Sequence, residues 1–374
     1  MTVERSPEIL ILGGGVIGLT TAYFLARARH SVAIVDQGEL GRESSWAGAG
    51  ILPAANPKRA QSAIGQLRAR SVAMYPSLSA ELHELTNIDN GYVRCGGIEL
   101  RRSEEALEKQ RVENVLREEA GEGAHCEVLD GKQLRELEPA LSEALPGAVH
   151  FPDMGQVRNP RHVKALIAAC GILGVRMLAG CPVYGLDRDG DRITGVRCAA
   201  GLLRAERYLV AAGAWSEALL QSVGCRIGVR PIRGQIALLR TSPPILRRIL
   251  LAGSEYLVPR PDGRVLIGST EEDVGFDRQT TAAGIQGLLQ MGIHLVPGLA
   301  RAPVERCWAG LRPGSADGKP YIGPAPGIQN LYVATGHFRS GIQLSPGTGA
   351  VMKELLLGEA PSLPVEAFRL DRPI

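Results

Sequence analysis

Apolar residues gather first in a short run, Ile9-Leu10-Ile11-Leu12, which breaks on Gly13, Gly15 and Gly18. Leu19 to Ala26 then reads as a helix, and Ser31-Val32-Ala33-Ile34-Val35 returns to an apolar run that ends at Asp36. The pattern predicts strand, tight turn, helix and second strand. Gly13 suits the turn, Gly15 lets a pyrophosphate approach the backbone, and Gly18 lets helix and strand pack closely where Val16 and Ile17 open the helix. The helix's free amides and positive dipole end suit phosphates, and Asp36, with Gln37 after it, stands roughly 20 residues on, where an acid accepts a ribose hydroxyl. The unit fits a dinucleotide, with FAD and NAD both open.

Small and hydroxylated residues follow from Gly41 to Leu52, including Ser44, Ser45, Ala49, Gly50 and Ile51. Small side chains let backbone amides approach a ligand, and the serines suit phosphate or flavin edges; a flexible surface loop is the alternative. Gln61 to Leu85 has apolar residues at helical spacing, Ser103 to Ala120 reads as a solvated helix with Leu107, Val112 and Leu116 on one side, and Asn159-Pro160-Arg161 starts a further helix. The period then changes. Residues 182–186, containing Val183, and residues 192–197 and 205–210 predict a three-stranded meander turning at Asp187 to Asp191, which leads into Ala211-Ala212-Gly213.

From Arg230 onward strand signals dominate. Glu255 to Arg260 and Val265 to Thr270 read as a hairpin, and Thr280 to Val296 as a helix ended by Pro297-Gly298. Hairpin strands beside one helix suggest a mostly antiparallel second domain. The meander and the late Ala-Ala-Gly turn fit an FAD-binding fold better than a simple NAD-type alternation of strands and helices.

Composition narrows the partners. In 374 residues, 42 Lys plus Arg stand against 39 Asp plus Glu, a net charge of +3, without the basic excess that marks nucleic-acid binding. No apolar run approaches the roughly 18 residues that span a bilayer. Seven cysteines, Cys95, Cys126, Cys170, Cys181, Cys198, Cys225 and Cys307, are an odd, scattered set without a C-x-x-C pair. They fit a reduced, cytoplasmic compartment, and no His or Cys spacing suggests a metal.

The densest group of motifs comes last: Trp308-Ala309-Gly310-Leu311-Arg312-Pro313-Gly314, then Asp317 to Pro324, then Leu331 to Thr335 running into Gly336-His337-Phe338-Arg339-Ser340-Gly341-Ile342, with Gln343 following. Together with the opening glycines, Arg230 to Gln235 and Tyr256, they make the chain resemble, essentially end to end, the D-amino acid oxidase family of flavoproteins, and within it the bacterial glycine oxidases that supply an imine of glycine for the thiazole ring of thiamine. The resemblance implies non-covalent FAD and oxidative deamination of glycine or another small amino acid or amine. Hydride passes to flavin, O2 gives H2O2, and the imine hydrolyses to glyoxylate, or another oxo acid, and ammonia. It also implies an FAD-binding domain with a Rossmann-like sheet and β-meander, residues 1–85, 145–220 and 310–374, and an α+β substrate domain, residues 86–144 and 221–309. A homo-oligomer, commonly a tetramer, is implied too.

On that resemblance Arg312, with a planar fork suited to a carboxylate, is the first substrate-binding candidate, with a surface arginine beside a Pro-Gly turn as the alternative. Tyr256 matches a tyrosine that helps hold the carboxylate, and Arg339 matches a second substrate-site arginine. The glycines and His337 to Gln343 would face the flavin, where amides or a helix end stabilise negative charge at the ring's pyrimidine edge. No side-chain base is expected, because nitrogen lone-pair donation from a neutral amine pushes the hydride off carbon; His337 is a packing residue on this reading.

Three positions bear on the details. Glu271 stands where glycine oxidases tend to carry an apolar residue, often methionine; on the pocket wall it would repel a carboxylate or attract an amine. Ser254, where a bulkier histidine can stand, would widen the pocket. Cys307 lies near where sarcosine oxidases attach flavin through a thioether, against the alternative of an ordinary buried cysteine. The competing readings are a D-amino acid or N-methyl amino acid oxidoreductase with another electron acceptor, an NAD dehydrogenase, which would be colourless, and a flavin-binding scaffold without catalysis.

Overall fold

The computed structural model describes residues 6–56, 60–101, 103, 105–109, 113 and 124–373. The opening apolar run forms the strand Ile9–Leu12, at the middle of a six-stranded sheet. Across the sheet the strands run Tyr321–Pro324, Leu331–Thr335, Arg207–Val210, Ile9–Leu12, Val32–Val35 and Arg176–Leu178. All neighbours are parallel except the antiparallel edge strand Tyr321–Pro324. Buried parallel strands carry apolar residues on both faces, and here successive side chains divide between two cores. Ile9, Ile11, Val32, Ile34 and Leu209 face the helices Val16–Arg27, Ala63–Thr86, Asn159–Ile172 and Gly341–Leu357. Leu10, Leu12, Ala33, Val35, Tyr208 and Val210 face a three-stranded sheet through Leu186, Ile193 and Val196.

That small sheet corrects one expectation. Its strands are Val183–Asp189, Arg192–Cys198 and Gly201–Leu203, turning at Gly190-Asp191 rather than over 187–191. Arg207–Val210, expected as its third strand, instead pairs in parallel with Ile9–Leu12 and Leu331–Thr335. Tyr208, Leu209 and Val210 are buried on both faces, which a meander exposed on one side does not offer.

The second sheet has eight strands in the order Val304–Gly314, Arg230–Arg240, Arg264–Gly268, Glu255–Pro259, Ile249–Ala252, Gly97–Arg101, Gly147–Phe151 and Glu127–Asp130. It is antiparallel except where Ile249–Ala252 meets Gly97–Arg101. Gly147–Phe151 and the first part of 310–374, expected with the FAD-binding segments, thus lie in this sheet. One face packs on the helix Ala282–Leu295, whose N-cap Thr281 accepts from the Gly284 amide at 3.2 Å. The other face packs, through Ile236, Val258 and Trp308, against Ala49 of the loop that follows the dinucleotide unit. In the expected helix over 103–120, residues 105–109 are helical with Leu107 buried; Val112 and Leu116 lie outside the described residues. No helix among the described residues is long and apolar enough to cross a membrane, and no His, Cys, Asp and Glu among them group as a metal site.

Candidate active site

A cavity of about 500 Å³ runs from the carboxyl ends of the parallel strands to the inner face of the eight-stranded sheet, within the roughly 300–1,000 Å³ usual for ligand sites. In an open parallel sheet, ligands bind outside the carboxyl ends of the strands. Gly13, with φ +112°, begins the turn, and a Cβ there would run into the Ala211 carbonyl. A Cβ on Gly18 would strike the Gly13 carbonyl, so Gly18 serves helix packing and does not line the cavity. Gly15, Val16 and Ile17 do line it. Asp36 Oδ2 accepts from the Gly14 amide at 2.7 Å and Oδ1 from Gly38 at 2.9 Å, while burial pushes its carboxyl pKa up. Ser45 Oγ accepts from the Val16 amide at 2.9 Å, tying the loop to the helix N-terminus and leaving the hydroxyl proton for another partner.

The loop is held near the middle of its contact with the cavity. Arg260, 6% exposed, donates to the carbonyls of Ala49 at 2.8 Å and Val157 at 3.0 Å and to Gln156. Burial lowers its pKa to about 10, which leaves it charged at neutral pH. Trp308 Nε1 donates to the Ala47 carbonyl at 2.9 Å, and a Cβ on Gly310 would come within 2.5 Å of Ala47 Cβ. Side chains alternate along a strand, so Trp308, Gly310 and Arg312 share one face. Cys307 points the other way, against the core around Ala237 and Leu239, and does not line the cavity. The site suggested for a covalent flavin link is therefore turned away from it.

Arg312 reaches into the cavity from that strand. Nη1 donates to the Thr270 carbonyl at 3.1 Å and Nη2 to Ser269 Oγ at 2.5 Å, leaving donors of the fork unspent. Tyr256 stands beside it, and burial lowers the guanidinium's pKa. Two glycines make the room: a Cβ on Gly234 would collide with the Arg312 fork, and one on Gly268 would stand 2.7 Å from the Tyr256 hydroxyl oxygen. Among the described residues no carboxylate pairs with Arg312.

The last segment closes the opposite wall. His337, Phe338, Arg339, Ser340, Gly341, Ile342 and Gln343 line the cavity, and Phe338 takes φ +48°, a sparse region for a non-glycine residue. His337 is buried with Nε2 3.1 Å from Thr348 Oγ1, and burial lowers its pKa to about 3, so the imidazole is neutral. The helix Gly341–Leu357 begins here without a side-chain cap, presenting its positive end to the cavity. Tyr75, fully buried, donates its hydroxyl to the Ile342 carbonyl and fixes that end. On a third side Gly213, with φ +55°, lines the cavity with Val183, and Thr335 Oγ1 donates to its carbonyl at 3.0 Å.

Of the expected residues, Ser44, Ala49, Gly50, Ile51, Gln37, Gly310, Tyr256, Arg339 and Ser254 also line the cavity. Glu271 does not: it pairs instead with Arg339, which does. Arg260, Trp215, Gly234 and Ser269 escaped the sequence; the first is marked only by being an arginine at the end of an apolar strand. The glycine cradle, the ribose-level acid and two helix N-termini at one cavity fit the phosphates and isoalloxazine of FAD.

Comparison with known proteins agrees. The family described as FAD dependent oxidoreductase (DAO) matches residues 8–355. A glycine oxidase of Pseudomonas putida is 38% identical over 357 residues, covering 95% of this chain and 96% of the relative. Hydrogen cyanide synthase subunit HcnC of Pseudomonas aeruginosa is 35% identical over 406 residues, covering 99% and 97%. The crystal structure of glycine oxidase from Geobacillus kaustophilus superposes with a TM-score of 0.94 at 34% identity, covering 99% of this chain and all of that one.

Proposed function

This chain belongs to the DAO family of FAD-dependent oxidoreductases, and on that premise we propose that it oxidatively deaminates glycine, with O2 as electron acceptor. Gly13, Gly15 and Asp36 would hold the dinucleotide, with Ser45 and the Ala49–Ile51 backbone along it, and the start of the helix Gly341–Leu357 would favour negative charge on the reduced ring. When bound, FAD supplies a two-electron acceptor that takes hydride from the substrate's α-carbon and passes the electrons to O2 as H2O2.

The chain's own work is orientation. Arg312 grips the carboxylate with two charge-assisted bonds, Tyr256 adds a third donor, and the walls keep water from the amine. No side chain takes a proton from carbon: the amine arrives neutral, its lone pair forms the C=N bond as hydride leaves, and the imine then hydrolyses to glyoxylate and ammonia. Neutral His337 packs against Thr348 and takes no part in this step.

The observation that carries the reading is Arg312, a part-buried guanidinium at a cavity wall with no protein carboxylate on it among the described residues. With Arg312→Ala, KM for glycine should rise roughly a hundredfold, since a charge-assisted pair is worth about 2–3 kcal/mol, while bound FAD is retained. Peroxide formation across glycine, sarcosine, D-alanine and D-proline distinguishes a glycine oxidase from an N-methyl or D-amino acid oxidase. We assign the substrate domain to the eight-stranded sheet, including Gly147–Phe151 and Val304–Gly314, and the FAD domain to the six-stranded sheet and its covers. A cytoplasmic homo-oligomer, tested by light scattering, completes the proposal, with thiamine thiazole supply as its role.

A further inference from the structure

Four acids stand in the segment that follows the strand Arg264–Gly268, and each pairs with an arginine. Glu272 accepts from Arg233 Nε at 2.9 Å, Asp277 from Arg233 Nη1 at 2.5 Å, and Asp273 from Arg230 Nη1 at 2.8 Å. Arg230 and Arg233 do not line the cavity. Glu271 differs, because its partner Arg339 does. The Arg339 guanidinium also lies 5.4 Å from the Phe338 ring centroid, so a carboxylate and an aromatic face engage it together. Arg312, on the strand Val304–Gly314, carries no such acid among the described residues. Of the three guanidiniums at the cavity, Arg42 is paired with Glu39 and Arg339 with Glu271, which leaves Arg312 as the one without an acid among the described residues.

We propose that Glu271 is a positioning residue that sets substrate charge: by holding Arg339 it leaves Arg312 to receive the ligand carboxylate, so the site selects an amino acid with one carboxylate over a dicarboxylic one. A second ligand carboxylate must part Glu271 from Arg339 and then sit near that displaced acid, where like charges repel. Both side chains are partly exposed, at 43% and 41%, so solvent screens the pair and the discrimination is several-fold. The inference rests on Arg312 as the carboxylate site and adds what keeps a second carboxylate out.

The test uses holoenzyme with acetate and malonate as probes, their dissociation constants read from perturbation of the flavin spectrum. Glu271→Gln and, as a second substitution, Glu271→Met should tighten malonate relative to acetate by about two- to fivefold. Glu271→Asp, which keeps the charge, should hold the parent ratio, and adding Arg339→Met to Glu271→Gln should cancel the gain. The ratio of kcat/KM for iminodiacetate over glycine should rise in parallel. An unchanged malonate-to-acetate ratio in both neutral variants, with acetate still bound, overturns this inference and leaves the Arg312 reading standing. A parent holoenzyme that binds neither probe overturns both.

Discussion

The Arg312 guanidinium lies across Gly234 of the neighbouring strand, in the space that any side chain at 234 would fill. The two are opposed in the register Gly234↔Gly310, two residues from Ile232↔Arg312, so the contact is diagonal across an antiparallel pair. Gly268, directly opposite Tyr256 in the sheet, does the same for that ring on the same cavity-facing side. A cavity that must admit a small substrate between Arg312 and Tyr256 thus depends on glycines that leave the fork and the ring their space.

Gly234→Ala should therefore act on the substrate step. The new methyl pushes the fork off its Ser269 and Thr270 bonds, and KM for glycine should rise about tenfold or more while FAD content stays at parent level. Steady-state kinetics with flavin quantitation checks it; an unchanged KM would mean that Arg312 does not hold the carboxylate in this position.

Cys307 faces the core of the eight-stranded sheet, so flavin should be held without a covalent bond to it. Acid precipitation should release the yellow colour into the supernatant, from parent and from Cys307→Ser alike. Colour that stays in the parent's pellet and leaves that of the variant would contradict the placement of this residue.

Two buried histidines give the fold an acid limit. Burial lowers His337 to about 3 and His162 to about 4, whereas both titrate near 6.5 in an unfolded chain. Between those values the unfolded chain binds more protons, so the contribution is full above pH 6.5 and is lost as pH falls towards 4 and then 3. By pH 5 each accounts for about 2 kcal/mol. The Tm should drop between pH 7.5 and 5, and less steeply in His162→Gln, which keeps no group to titrate; equal slopes in parent and variant would contradict the burial of a neutral His162.

What could be read from the chain itself was whatever lies in one continuous stretch. The strand, turn and helix around Gly13, Gly15 and Gly18 are a local pattern, and so is the run Trp308 to Gly314 that carries Arg312. Contacts between distant segments were not legible. Gly201–Leu203 is three residues long and shows no alternation, so the meander's third strand was assigned to the stronger apolar run at Arg207–Val210, whose burial belongs to the parallel sheet. Arg260 holds Ala49 across more than 200 positions. Glu271 meets Arg339 across 68 positions of the chain, and a sequence shows a charge without showing its partner.

The central claim, that this cavity presents glycine to a bound flavin, is tested most directly by the visible spectrum of the purified holoenzyme before and after anaerobic addition of glycine. The account predicts flavin bands that bleach with glycine and return on admitting oxygen, with one peroxide for each glycine consumed. Bands that persist with glycine but bleach with sarcosine or a D-amino acid would contradict the proposed substrate and leave the fold and the flavin site in place.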